Sequence, residues 1–193
     1  NIKVLGPDIN ESAIGFAVNK KGEIRFALTG IKGMGEAAIT NLVEERKKNG
    51  SYKDIFDVMK RVNQRTVNKK SLESLAYAGG LDCFSTFHRA QYFYVPEGDL
   101  TNGLEKIIRF GNQFQQNKQQ ATNSLFGDTN MMDVATPKIP DCEAWTLTEL
   151  LEHEKDVIGI YLSGHPLDHF KFELKHYGIT PLGEFNEFVD GMN

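Results

Sequence analysis

The strongest constraint on this chain is a five-residue run, Ile31-Lys32-Gly33-Met34-Gly35, set directly before an apolar-periodic helical stretch. Two glycines separated by one residue allow a tight backbone turn and close approach to a ligand without interference from Cβ atoms. The amides at the start of the following helix, at Glu36 and Ala37, are expected to point outward with the helix dipole behind them, which makes an anion site. Met34 is expected to tuck inward as an anchor, and Lys32 to pair with a phosphate. Contacts of that kind grip the sugar–phosphate backbone and not the bases, so binding is expected to be independent of sequence and sensitive to salt. A tight turn without function is the bland alternative for a lone Gly-x-Gly.

The elements around it follow from turn residues and periodicity. Ile14–Val18 and Ile24–Leu28 are β-prone runs joined by Asn19-Lys20-Lys21-Gly22, which predicts a β-hairpin. A helix is expected to about Lys48, with Ile39, Leu42 and Val43 on one face and Asn49-Gly50 as its stop. Ser51 is the expected cap of a second helix carrying Ile55, Phe56 and Met59, and Asn68 that of a third carrying Leu72, Leu75 and Ala76. Ala78-Gly79-Gly80-Leu81 would end the third helix as a second, degenerate hairpin touching DNA, or as a plain glycine cap. A further helix is expected over Leu104 to Phe110. From Gln113 to Thr136 the chain turns Gln- and Asn-rich without periodicity, the pattern of a linker broken by one apolar island, Leu125-Phe126. Helices are expected again over 147–160 and 167–177, with Ser163-Gly164-His165-Pro166 as a sharp turn and Trp145 anchoring the far end of the linker. The fold class is therefore mainly α: a short β-hairpin, a tandem helix-hairpin-helix domain, a linker, and C-terminal helices. The expected division is 1–30, 31–112, 113–140 and 141–193.

Charge separates the two halves. The formal net charge is −4, yet Lys20 to Lys70 carries 13 basic against six acidic residues, and Gln120 to the end carries four basic against 13 acidic. A basic block is the electrostatic footprint of phosphate binding, although a solvated helical surface would look similar. Cys83 and Cys142 stand far apart and form neither a zinc ribbon nor a disulfide framework, which fits a reducing cytoplasm. His153, His165, His169 and His176 have no spacing that completes a metal site. Glu149, Glu152, Glu154 and Asp156 read as a solvated helix face, not as an acid/base pair. No apolar run is long enough to span a membrane. A start without methionine and an end in mid-pattern suggest a piece of something longer.

Several runs carry a resemblance in collinear order. They are Gly6-Pro7-Asp8-Ile9-Asn10-Glu11-Ser12, Ile24–Leu28 with Gly30–Glu36, Arg61-Val62-Asn63, Val67–Lys70, Leu72-Glu73 and Ala78–Asp82. Ser124-Leu125-Phe126-Gly127 and Gly159–Leu167 continue the series. Together they resemble the bacterial DNA polymerase III alpha subunit family, C-family nucleotidyltransferases, from the end of the fingers through the tandem helix-hairpin-helix region to the segment before an OB-fold. The resemblance implies double-stranded DNA held behind the active site, with contact residues at Lys32, Gly33, Met34, Gly35, Glu36 and Ala37, and more loosely at Asn68, Lys69, Lys70, Gly79 and Gly80. It also implies a sliding-clamp peptide at Thr122, Ser124, Leu125 and Phe126, with Thr122 standing where the family's motif has a glutamine. Other replicase subunits would be partners. The family's catalytic aspartates and Mg2+ belong to a palm whose motifs are absent here, so no catalytic residue, metal or cofactor is expected in this chain and no polymerisation by it alone. The competing reading is a protein-docking scaffold, a clamp tether with little DNA affinity of its own.

Overall fold

The computed structural model describes residues 2–123 and 134–178. The expected hairpin forms: β2 (Ala17–Val18) pairs antiparallel with β3 (Ile24–Arg25), and β1 (Val4–Leu5) adds to the other edge of β3 in parallel. Asn19 organises the turn, its Oδ1 accepting from the Lys21 and Glu23 amides at 2.9 and 3.0 Å. Gly22 supplies the positive φ of 77°. Leu28–Gly30 then makes one 3-10 turn and delivers the chain to the Ile31–Gly35 hairpin.

Seven α-helices follow among the described residues. They are α1 (Glu36–Asn49), α2 (Ile55–Arg61), α3 (Lys69–Tyr77), α4 (Arg89–Phe93), α5 (Gly103–Asn123), α6 (Leu147–Ile158) and α7 (Lys171–His176). On α1 the residues Ala38, Ile39, Leu42 and Val43 turn inward at helical spacing, and Gly50 ends the helix at φ +82°. α2 is capped by Asp54 and not by Ser51: the Asp54 carboxylate accepts from the Asp57 amide at 2.7 Å, while the Ser51 carbonyl accepts from Arg61. Asn68 caps α3 as expected, accepting from the Ser71 amide at 3.0 Å. Ile31, Leu42, Ile55, Met59, Leu72, Leu75, Leu81, Tyr92 and Leu104 form one fully buried core. Each such aliphatic side chain is worth about 1.5–3 kcal/mol of burial.

The Gln-rich stretch expected as linker from residue 113 begins as helix. α5 continues to Asn123, and tertiary contacts explain why composition misleads. Gln115 Nε2 donates to the Met59 and Val62 carbonyls at 2.9 and 2.8 Å, capping the end of α2 from the side. The Lys60 ammonium lies over the Phe110 and Phe114 rings, 5.4 and 5.2 Å from their centroids. Glutamine is itself a good helix former once such contacts exist.

Toward the end, Thr146 and Glu149 build a capping box for α6, which closes at Gly159. The single helix expected over 167–177 instead starts as a 3-10 turn, Pro166–Phe170, before α7. Trp145 does anchor the segment, its ring stacking with Tyr77 and Phe93 at centroid distances of 5.8 and 5.5 Å and lying tilted against His153 at 4.3 Å. Glu154, expected on a solvated face, is buried. It receives Arg89 Nη1 at 2.9 Å, the Ser163 hydroxyl, and the Leu162 and Ser163 amides. Burial pushes the Glu154 carboxyl up, but the Ser163 hydrogen bonds and Arg89 together hold it below its ordinary range.

Candidate nucleic-acid interface

Gly33 stands at φ +88°, a left-handed conformation that side chains oppose. A Cβ placed there would collide with the Ser74 hydroxyl of α3, and Lys70 Cε lies 3.6 Å from the same point. The turn therefore leans against the middle of α3 and brings Lys70 beside it. Met34 is half-buried and packs on the core, while Lys32, Gly33, Gly35, Glu36 and Ala37 are exposed. The Lys32 amide donates inward, to the Val157 carbonyl at 2.8 Å, and the Met34 amide to Ile31.

What remains is a helix start left open. Gly35 is the N-cap of α1, at φ −77° and ψ 148°, and no side chain caps the helix. The amides of Gly35, Glu36 and Ala37 thus face solvent, at the positive end of a 14-residue helix. Nothing lies within 4 Å of a Cβ built at Gly35. The fold does not need a glycine at that position, whereas a ligand approaching the amides does. The Glu36 carboxylate in the first turn complements the helix dipole.

The second hairpin is not where the sequence places it. Gly79 and Gly80 are buried, and their amides donate to Ala76 and Leu75 at 3.0 and 2.8 Å; the Gly80 carbonyl accepts from Ile9. A side chain at Gly79 (φ +78°) would run into the Arg89 guanidinium. These glycines end α3 and make room for the Arg89–Asp82 pair, so they present nothing to a phosphate. The helix–hairpin–helix partner is instead α2, residues 62–68 and α3. Its turn is closed by the Thr66 and Val67 amides donating to the Asn63 carbonyl, and is tied to α1 by the Asn63 amide on Asn41 Oδ1 at 2.9 Å. Thr66 lines one depression of about 480 Å³ with Glu36, Ala37 and Thr40, so the two hairpins lie side by side. Sequence reasoning missed this turn because it has no glycine; the surviving signal is the capping Asn68 immediately after it.

Of the remaining expected contacts, Asn68 spends its side-chain oxygen on the cap, and Lys69 is paired with Glu105 at 2.7 Å and Glu73 at 3.7 Å. Lys70 stays exposed beside Gly33. Thr122 falls in the last turn of α5, while Ser124, Leu125 and Phe126 lie outside the described residues. The basic block divides into cations committed to the fold and cations left exposed. Arg46 donates to the Ile9 and Ser12 carbonyls, and Arg25 is paired with Glu11. Arg61 bonds Glu45 and Asp57 at 3.0 Å each and covers the Tyr52 ring. Burial pulls the Arg61 guanidinium down, but the two carboxylates outweigh it and raise its affinity for the proton. The exposed cations bordering the hairpins are chiefly Lys32, Arg65 and Lys70. Burial, with Asp8 and Asp82 nearby, pushes the Cys83 thiol up to about 12, which disfavours its thiolate.

Residues 1–92 match a family described as the helix-hairpin-helix motif. The DNA polymerase III subunit alpha of Xylella fastidiosa (strain Temecula1 / ATCC 700964) is 34% identical over 179 residues, covering 91% of this chain and 14% of that protein. That of Haemophilus influenzae is 35% identical over 188 residues, 94% of this chain and 15% of the relative. The Borreliella burgdorferi subunit is 34% identical over 172 residues, 88% of this chain and 14% of the relative. The chain thus spans about one seventh of the length of these relatives. Collinear identity across nine-tenths of the chain, on a fold with paired helix–hairpin–helix units, places it by sequence in the DNA polymerase III alpha subunit family.

Proposed function

We propose that this chain holds duplex DNA for a replicative polymerase, binding the sugar–phosphate backbone without regard to sequence. The observation that carries the reading is the open start of α1: amides of Gly35, Glu36 and Ala37 uncapped and exposed, with Gly33 and Lys70 at their side. Backbone amides and a helix dipole complement a phosphate, and the lysines add charge without reading bases. The chain contributes positioning and no chemistry; nucleotidyl transfer and its Mg2+ belong to other parts of the polymerase. A sliding clamp is the second proposed partner, through Leu125-Phe126 with Thr122 and Ser124, and further replicase subunits complete the setting, in the cytoplasm. No helix among the described residues is long and apolar enough to cross a membrane.

The test is fluorescence anisotropy of labelled duplex and single-stranded DNA titrated with this chain across a salt series, with Lys32→Glu alongside. Duplex binding that weakens steeply with salt and falls in the variant supports the reading. Clamp binding without DNA binding would replace it by a docking scaffold, and extension of a primed template by this chain alone would refute the division of labour.

A further inference from the structure

Beside the second hairpin, a cleft of about 930 Å³ runs between α1, the 61–65 turn and the second half of α5. Of its 12 lining residues only Val62 is apolar, and none is a carboxylate. That composition is wrong for a small-molecule site, which is mostly apolar. Part of the lining is committed to the fold: Arg61 to Glu45 and Asp57, Gln115 to Met59 and Val62, and Lys60 to the Phe110 and Phe114 rings. Asn41 also accepts from the Asn63 amide, and Gln64 donates to the Met59 carbonyl. Arg65, Asn112, Gln116 and Gln119 are exposed, and the last three recur at the i, i+4, i+7 spacing that puts them on one face of α5. Asparagine and glutamine amides are ordinary donors to phosphate oxygens.

Position selects the ligand. Asn41 lines both this cleft and the depression at Glu36 and Ala37, whose remaining walls are Thr40, Glu44 and Thr66, so the cleft adjoins the uncapped start of α1. Glu36 and Asn41 are five positions apart on α1, about 7.5 Å of rise, roughly two phosphate steps at about 3.4 Å of axis per strand. No aromatic ring lines the cleft, so it offers no platform on which single-stranded bases would stack. We infer that this cleft is a second phosphate-binding subsite, in which Arg65 and the α5 amides of Asn112, Gln116 and Gln119 take the backbone of the same duplex held at Gly35–Ala37. The inference rests on the proposed function of that hairpin.

The experiment is duplex anisotropy with the 193-residue chain, the melting temperature of every variant being recorded. Arg65→Ala is expected to weaken binding about tenfold, the equivalent of one charge-assisted hydrogen bond, and to reduce the slope of log K against log salt by about 0.9. The pair Gln116→Glu/Gln119→Glu should lose at least about tenfold on the same basis. The pair Gln113→Glu/Gln120→Glu, with the same charge on another face of α5, should lose less than about threefold through long-range repulsion in salt. Equal losses for the two pairs, or an unchanged salt slope in Arg65→Ala while Lys32→Glu still releases the duplex, would overturn the subsite and leave the hairpin reading intact. A chain that binds no duplex at low salt would overturn both, and losses confined to single-stranded DNA would overturn the duplex assignment of the cleft.

Discussion

Gly33 and Gly35 are two residues apart in one motif, yet only Gly33 is required by the fold, so Gly33→Ala and Gly35→Ala should fail in different assays. At Gly33 the φ of +88° costs an alanine about 1–2 kcal/mol. Its methyl also displaces the hydroxyl of buried Ser74, which turns off its rotamer at about 0.5–1.5 kcal/mol. The sum is about 2–3 kcal/mol, which lowers the melting temperature by roughly 5–10 °C in a chain of this size. At Gly35 the backbone is ordinary and no atom lies within 4 Å of the added Cβ. A small loss of N-cap preference is offset by the lower entropy of the unfolded chain, so stability should stay within about 0.5 kcal/mol. If those amides hold a phosphate, the methyl crowds its approach, and duplex affinity should fall about tenfold, one charge-assisted hydrogen bond's worth. Urea unfolding followed by circular dichroism measures the first effect, and duplex anisotropy on the folded variants measures the second. A Gly33→Ala variant as stable as the parent refutes the backbone argument. A stable Gly35→Ala variant that binds duplex as well as the parent refutes the use of those amides.

Three further outcomes follow from the contacts around this motif. Glu154→Ala leaves Arg89 half-paired in a buried site and should cost about 3–5 kcal/mol by urea denaturation. Because the folded state depresses the Glu154 pKa, its contribution is complete above the ordinary carboxylate range and is lost as pH falls through the depressed value; Glu154→Gln should therefore flatten the acid side of a stability–pH profile. Asn68→Ala should cost about 1 kcal/mol through the lost α3 cap, and Asn68→Ser should recover most of it; a binding defect without a stability change would restore Asn68 as a DNA contact. Trp145 is the single tryptophan and sits in the Tyr77–Phe93–His153 stack, so its fluorescence should report the same urea midpoint as circular dichroism; an earlier fluorescence transition would show the C-terminal segment detaching on its own.

Local signals were legible wherever the physics is local. The Asn19–Gly22 turn, the Gly33 turn, the Asn68 cap and the α1 stripe of Ile39, Leu42 and Val43 all depend on residues within a turn or two. What stayed hidden depends on partners distant in the chain. Glu154 looks like any surface acid until Arg89, 65 positions earlier, is brought beneath it. The Gln-rich continuation of α5 has too few apolar residues to show a period, and is held by the Met59 and Val62 carbonyls more than 50 positions away. The 79–80 glycines suggested a second phosphate turn because glycine pairs mark close approach. In this fold the group that approaches is the Arg89 side chain, and the second hairpin is turned by Asn63 without any glycine at all.

The hydrogen bond from the Lys32 amide to the Val157 carbonyl joins an exposed turn to a helix 125 positions downstream. An amide exchanges its hydrogen with solvent only when its bond opens, so in deuterated water Lys32 keeps time with the undocking of the end of α6 and not with local motion of the turn. The neighbouring amides at Gly35, Glu36 and Ala37, bare to water, exchange without waiting for it. Within six residues the chain thus carries one clock for its C-terminal helix and one for its ligand face, and a bound phosphate would slow only the second.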